Sequence, residues 1–363
     1  MNRSRAAVTG NSLLRVPQAR MPCCPWGASG SVSPMPAPAS LFAFALTNAG
    51  SEKPLKEEVA ASGSGWRPGY QRRGFVMFKA PSDEQQFSLR SLEDSPALTR
   101  RLCLSLGKAA AREDAATLLA GTAVLHHVRL INGRMECLAP PAAPPAMGDQ
   151  VGTVVELGPD EFWAGLHQHA PLLSPDPGGS SGILLPDGVP SRAWLKLEEA
   201  IRFFGLRFTP RDVVVELGCA PGGVVHALLE RGVSVIGVDP ARLAPSVMTR
   251  ALPAVPDTST GPWIFHCRKP AALVSKRDLA GRATWFMSDM NQSPEIAIKE
   301  CVRFRKMCPS IRSALITLKL TDLAQIADKP LWLAALCDSG FRTLRIQQLS
   351  VHHRELALLA LDG

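Results

Sequence analysis

Tyrosine is nearly missing from this chain, one in 363 residues, and aromatic side chains make up only 6%. That argues against a broad platform on which successive single-stranded bases stack. Long apolar runs are missing too. Hydrophobic residues reach 46%, yet no stretch is long and apolar enough to cross a bilayer as a helix. The nine cysteines show no paired CxxC spacing, and only Cys23 and Cys24 adjoin. No zinc pattern follows from them, no metal is expected, and the odd count suits a reducing cytoplasm better than a disulfide framework. No internal repeat is found. Acid is absent from the first forty residues, which carry four arginines among many Pro, Ser, Gly and Ala. So little apolar area cannot offset the entropy of ordering, and residues 1–40 are expected to be a disordered tail. A basic, acid-poor start also suits an organellar targeting peptide, although no clear amphipathic helix accompanies it. A start at Met35 is the simpler alternative.

What is present is a net charge of +8 and a pI near 9.2, which favour a polyanionic partner without proving one. A chain of this length suits two domains. In residues 41–158 the pattern predicts strands at 41–46, 74–79, 124–131 and 151–157, and helices at 52–61 and 96–119, a small α/β layer. Residues 159–190 read as a linker whose tract 171–190, rich in Pro, Gly, Ser and Asp, is ordered but irregular. Residues 191–363 form the second domain.

The densest signal lies in that second domain. An apolar strand runs into Glu216-Leu-Gly-Cys-Ala-Pro-Gly-Gly223, an apolar helix follows, and a second strand ends on Asp239. A strand that breaks into glycines before a helix leaves backbone N–H groups uncovered, and an acid about twenty residues on can reach a ribose. The unit therefore reads as a nucleotide-like cofactor site. Dinucleotide loops space their glycines so that a pyrophosphate lies against the helix. Here Gly218 is followed by Cys219, Ala220 and Pro221, and the proline removes a donor where phosphate would need one. Glu216 would repel a phosphate but suits the cationic amino group of S-adenosylmethionine. A merely tight turn through Gly218, Gly222 and Gly223 is one alternative, and a nicotinamide cofactor another. Cys219 reads as a small packing residue rather than a nucleophile.

Beyond this unit, strands at 233–238, 263–267, 283–288 and 313–320 alternate with helices at 295–307 and 323–336, the pattern of a doubly wound parallel sheet. Strand-like runs at 341–349 and 355–361 are too close for a parallel crossover. The last strand is therefore expected to run antiparallel to its predecessor. Asp289, Lys319 and Glu355 interrupt apolar runs where strands start or stop on the ligand-binding edge, and Lys196 comes from a helix over 194–204. Singly each suits a solvated strand end or helix face; jointly they suggest a site.

These residues resemble a known family. Lys196, Asp289, Lys319 and Glu355, with the acid-Leu-Gly-x-x-Pro-Gly-Gly loop, resemble the Lys-Asp-Lys-Glu tetrad of FtsJ-like RNA ribose 2′-O-methyltransferases. Pro190-Ser-Arg-Ala-Trp-Leu-Lys-Leu-Glu-Glu-Ala200, Leu318-Lys-Leu320 and His353-Arg-Glu355 are similar to the large-subunit ribosomal RNA 2′-O-ribose methyltransferase M family. The resemblance implies a Rossmann-like methyltransferase sheet with an antiparallel last strand, preceded by a smaller α/β region that is a degenerate RNA-binding THUMP-like domain. It implies S-adenosylmethionine as cofactor, held by Glu216, Gly218, Cys219, Ala220, Pro221, Gly222, Gly223, Asp239 and Asp289. A cytidine of large-subunit ribosomal RNA is the implied substrate, and a cytoplasmic monomer the implied state. The chain departs from the family at Cys219 and Val224, often Ala and Trp, and at His266-Cys-Arg-Lys269, which lacks the acid that usually meets the adenine.

The chemistry also follows from the residues. A ribose hydroxyl is a poor nucleophile at neutral pH, so an enzyme must align it and help remove its proton. Lys319 is the expected general base, with its pKa lowered by burial and by Lys196 and raised by Asp289 and Glu355. Asp289 would orient it, and Lys196 and Glu355 would position the ribose. Arg192, His352, His353 and Arg354 flank the tetrad as candidate phosphate contacts. Weaker RNA candidates are Arg268, Lys269, Lys276, Arg277 and Arg282; Lys299, Arg303, Arg305, Lys306 and Arg312; and Trp66, Arg67, Arg72 and Arg73. Two rivals stay open, a small-molecule methyltransferase and a noncatalytic RNA-binding pseudoenzyme.

Overall fold

The computed structural model describes residues 38–92, 95–139, 141, 143–258 and 261–362. The expected tail thus lies outside the described residues except for 38–40, where Ala39–Ser40 pairs with Phe87–Ser88. Two eight-stranded sheets organise the described chain.

The first sheet is built from β1 (Phe42–Leu46), β2 (Arg67–Arg72), β3 (Phe75–Lys79), β4 (Arg101–Ala109), β5 (Val124–Ile131), β6 (Arg134–Ala139), β7 (Gln150–Gly158) and β8 (Glu161–Gln168). Their order is β2-β3-β1-β4-β8-β7-β5-β6, antiparallel except where β5 runs beside β7. Helices α1 (Glu52–Ala61) and α2 (Arg112–Thr117) are its only α-helices among the described residues. Leu55 and Val59 of α1 and Ala115 of α2 bury against one face, while Phe44, Leu46, Phe75 and Met77 fill the other.

Two expectations are corrected here. Residues 96–119 are not one helix: only 112–117 are helical, as α2, while 101–109 form β4, where Leu102 and Leu104 alternate with Cys103 and Ser105 across both buried faces, a period of two that Leu and Ala richness disguises. The sheet also runs on past residue 158, because Phe162, Ala164 and Leu166 of β8 bury in its core and pair with β4 and β7. The tract that follows is ordered and irregular, with Pro177, Gly178 and Gly179 buried. Arg101 Nη2 donates to Asp176 O at 3.0 Å, and Arg202 Nε donates to the Asp176 carboxylate at 2.7 Å.

The second sheet comprises β9 (Val213–Leu217), β10 (Ser234–Val238), β11 (Ala251–Leu252), β12 (Ile264–Cys267), β13 (Trp285–Ser288), β14 (Ser313–Lys319), β15 (Thr343–Gln347) and β16 (Glu355–Leu361). Their order is β11-β12-β10-β9-β13-β14-β16-β15. All neighbours are parallel except those of β16, which is antiparallel to both β14 and β15. The antiparallel last strand therefore holds, and it slots between two parallel strands instead of extending the edge. Successive residues face opposite sides: Val214 and Val235 pack with α3 (Ala193–Phe204) and α4 (Gly223–Glu230). Val215, Ile236 and Phe286 face α5 (Pro294–Met307) and α6 (Lys329–Asp338). Pro294 opens α5 where no N–H partner is needed, and left-handed Gly205 closes α3. With helices on both faces, the carboxyl edge of the parallel strands is left free for a ligand.

Candidate active site

The loop between β9 and α4 has a geometry that glycine makes possible. Gly218 has φ +76°, and a Cβ there would lie 3.0 Å from Met290 N. Gly223 lets α3 begin against α4, since its Cβ would meet Ser191 O at 2.8 Å and Trp194 N at 3.0 Å. Asp239, just past β10, ties the loop down: its Oδ2 accepts from Ala220 N at 3.1 Å and its Oδ1 from Ala241 N at 2.8 Å. Ala220-Pro221 is a cis peptide. Cys219 is buried, and burial first, then Glu216 and Asp239, push its thiol well above the usual range. It is a packing residue, with its Sγ 2.9 Å from where a Cβ on Gly237 would sit.

The four charges of the tetrad come together. Asp289 follows β13, Lys319 ends β14 and Glu355 opens β16 directly opposite Lys319 in the antiparallel register. Lys196 reaches the same point from α3. Lys319 Nζ lies 2.7 Å from Asp289 Oδ1 and 2.5 Å from Glu355 Oε1. Lys196 Nζ lies 3.1 Å from Asp289 Oδ1 and 3.0 Å from Glu355 Oε2. Each amine thus bridges both acids.

The balance of forces on Lys319 differs from the sequence expectation. Burial works against its charge, but the field of Asp289 and the hydrogen bonds of Asp289 and Glu355 outweigh it, so its pKa is raised, not lowered. Glu355 is held at about 2: burial opposes its ionisation, but the Lys319 bond and the Lys196 charge win. At rest Lys319 is an ammonium between two carboxylates.

A cleft of about 690 Å³ opens on this group, lined by Gly218, Cys219, Ala220 and Pro221 on one side and by Lys196, Asp289, Lys319 and Glu355 on the other. Beneath it a chamber of about 30 Å³ is lined by Glu216, Ser288, Asp289 and His352. It has room for a water molecule. Glu216 Oε2, Ser288 Oγ and His352 Nε2 are buried without a hydrogen-bond partner among the described residues. Burial, then Asp289 and Asp239, push the Glu216 carboxyl well up. An orphaned acid at a strand end beside an open cleft is what a cationic or hydrogen-donating ligand would satisfy.

Several RNA candidates do other work. His352 is buried; its Nδ1 accepts from Leu349 N at 3.4 Å, and burial pushes it down to about 4. Arg303 donates to Ala271 O at 2.6 Å and to Glu300 at 2.6 Å. Arg305 holds Ser339 O, Ile311 O and Asp362. Arg282 donates to the carbonyls of Pro256 and Asp257, and Lys269 pairs with Asp278. Trp66 stacks edge-on against Phe87 at 4.8 Å, Arg67 donates to Pro81 O, and Arg72 pairs with Glu161. Arg73, Arg268, Lys276, Arg277, Lys299, Lys306 and Arg312 are exposed. Arg192, His353 and Arg354 do line the cleft.

The sequence reading missed Glu199, which is buried in α3 and accepts from Ser350 N and Val351 N at 3.0 Å, holding the chain just before Glu355. Its signal was an acid on the inner face of an amphipathic helix. Thr317 and Asn291, which also line these spaces, carried none.

Residues 189–260 match the FtsJ-like methyltransferase family model. Ribosomal RNA large subunit methyltransferase M of Halorhodospira halophila is 36% identical over 142 residues, 38% of this chain and 34% of that protein. Its namesake in Azotobacter vinelandii is 30% identical over 172 residues, 44% of each chain. The chain thus spans less than half the length of these curated relatives. Among solved structures, a chain of the fibrillarin/Nop5p complex is 15% identical, with a TM-score of 0.34, covering 47% of this chain and 83% of that one. Over the glycine loop, its helix and the strands that flank it, the chain is similar to the FtsJ-like methyltransferases.

Proposed function

We propose that this protein transfers a methyl group from S-adenosylmethionine to the 2′-hydroxyl of an RNA ribose, with a cytidine of large-subunit ribosomal RNA as its substrate, in the cytoplasm. The observation that carries the reading is the convergence of Lys196, Asp289, Lys319 and Glu355 on one cleft beside the glycine loop. A small-molecule methyltransferase has no need of that arrangement. The names of the matched relatives supply the RNA class. Among the described residues no helix is long and apolar enough to cross a membrane.

The residues fit the cofactor. Glu216, orphaned and buried, would meet its amino group; the backbone of Gly218, Cys219, Ala220 and Pro221 with Gly222 and Gly223 would cradle it, and Asp239 would meet its ribose. Asp289 lies where the cradle and the tetrad join. When bound, the cofactor supplies a methyl group already activated on a sulfonium. The chain must align the acceptor hydroxyl and receive its proton. Lys319 acts as general base through its neutral fraction, which grows with pH because the resting group is an ammonium. Asp289 and Glu355 orient it, and Lys196 bonds both acids and helps keep Glu355 ionised. Arg192, His353 and Arg354 meet the phosphates on either side of the target, and the first sheet with its helices, residues 41–168, forms the RNA-binding THUMP-like region.

The test is transfer of tritium from labelled S-adenosylmethionine to deproteinised total RNA, with nuclease digestion of the product. Ribonuclease-sensitive label on a ribose is expected. Label found only in small molecules, or nowhere, would remove the reading.

A further inference from the structure

The turn between β1 and α1 belongs to the first sheet, yet it grips the segment that places Glu355 in the second. Asn48 Nδ2 donates to Leu349 O at 2.9 Å and to His352 O at 2.8 Å. With two carbonyls facing it, the amide nitrogen is the atom that must point there. Ser51 Oγ donates to Gln348 Oε1 at 2.9 Å, and Gln348 Nε2 donates to His353 O at 2.9 Å. Gln348 N donates to Ala97 O at 2.7 Å, again in the first sheet's part of the chain. Glu199 of α3 holds Ser350 and Val351 from another side. Residues 348–354 are thus fixed by groups outside their own two strands, and the next residue, Glu355, bridges Lys319 and Lys196.

We propose that Asn48 is a positioning residue for methyl transfer, an inference that rests on the reaction proposed above: the first sheet does not merely tether substrate but completes the catalytic group. A connection between strands is a soft element, stabilised here by a few hydrogen bonds each contributing roughly 1 kcal/mol. Misplacing a catalytic group by about 1 Å can cost on the order of 10²-fold in rate. Asn48 itself does not line the 690 Å³ cleft. Its loss should therefore act on turnover through Glu355, with a smaller effect on RNA affinity through His353 and Arg354 on the same segment and none on the cofactor.

The experiment replaces Asn48 by aspartate, which keeps the shape but turns the donor into an acceptor facing two carbonyls. Hydrogen exchange of the peptide spanning 348–355 should speed up at least about fivefold. kcat should fall about tenfold, KM for RNA should rise by less than that because His353 and Arg354 share the segment, and the dissociation constant for S-adenosylmethionine should stay within about twofold. Asn48→Ala serves if the aspartate variant does not fold. Ser95→Ala is the control: it breaks the 2.7 Å Arg345–Ser95 bond elsewhere between the two halves and should change neither exchange at 348–355 nor kcat. Unchanged exchange overturns the clamp whatever the enzyme does. Unchanged kcat, or a rise in KM alone, overturns its role in turnover. A wild-type chain inactive on RNA would instead sink the reaction itself and leave the clamp to be decided by exchange.

Discussion

Both sheets are rich in charge, but they use it differently. In the first sheet, Glu161 receives Arg72 at 3.4 Å and Lys108 at 3.6 Å, and Glu156 receives Arg112 at 3.3 Å and Arg129 at 2.6 Å. These cations are 34–55% exposed, where an ion pair contributes roughly 0–1 kcal/mol. At the edge of the second sheet, two amines and two acids, each 15–20% exposed, crowd one cleft. Taking such groups partly out of water has a desolvation cost that pairing must offset, so fold stability is a poor reason for them. The lesson is that the count of cations says little. A cation on a sheet face pairs with its acid half in water, whereas the paired cations at the strand ends face a cleft that a ligand can enter.

The sharpest way to break that contrast is Lys319→Ala. Methyl transfer should fall on the order of 10³-fold, while calorimetry should show cofactor affinity within about threefold. Comparable loss from a cation of the first sheet would erase the distinction. Next comes pH. Because Lys319 is raised above the ordinary lysine range, its neutral fraction grows about tenfold per pH unit through neutrality, so kcat should rise about 100-fold from pH 7 to 9. A flat profile would assign the proton to another group. Asp239→Ala, which frees the Ala220 loop, should weaken cofactor binding about tenfold by calorimetry.

The first sheet has its own pH signature, in stability rather than rate. His126 in β5 is fully buried, and burial first, then the charge of Arg101, push it down to about 3. Arg101, His127, His167 and His169 are charged or titratable groups around it. The unfolded chain takes up this proton near pH 6.5, so stability is full above that value and falls as pH drops towards the folded value. Urea unfolding at pH 5.5 should show a loss of about 1.4 kcal/mol relative to pH 7.5 from this residue, absent in His126→Gln. The smallest effect is expected at Arg129: its guanidinium is held by Glu156, so Arg129→Ala should change RNA affinity less than about twofold in a filter-binding titration.

The site was legible where chemistry interrupts a pattern. Asp289, Lys319 and Glu355 break apolar runs at strand ends, and a parallel sheet sends such ends to one edge. The fold was legible where the period was clean, as in β9, β13 and β14. It was not legible at β4, where leucines suit a helix by composition and a strand by spacing, nor in the insertion of β16 between β14 and β15, which depends on pairing across the whole sheet. His352 was misread because adjacency to Glu355 along the chain does not fix which way a side chain faces. Asn48 was invisible because its partners lie about three hundred residues away.

Alkaline hydrolysis of RNA labelled by the wild-type protein asks the central question directly, since a methyl on the 2′-oxygen blocks cleavage at that phosphodiester. The account predicts label in alkali-stable dinucleotides, lost when Lys319 is replaced by alanine. Label released as mononucleotides, or retained in that variant, would contradict it.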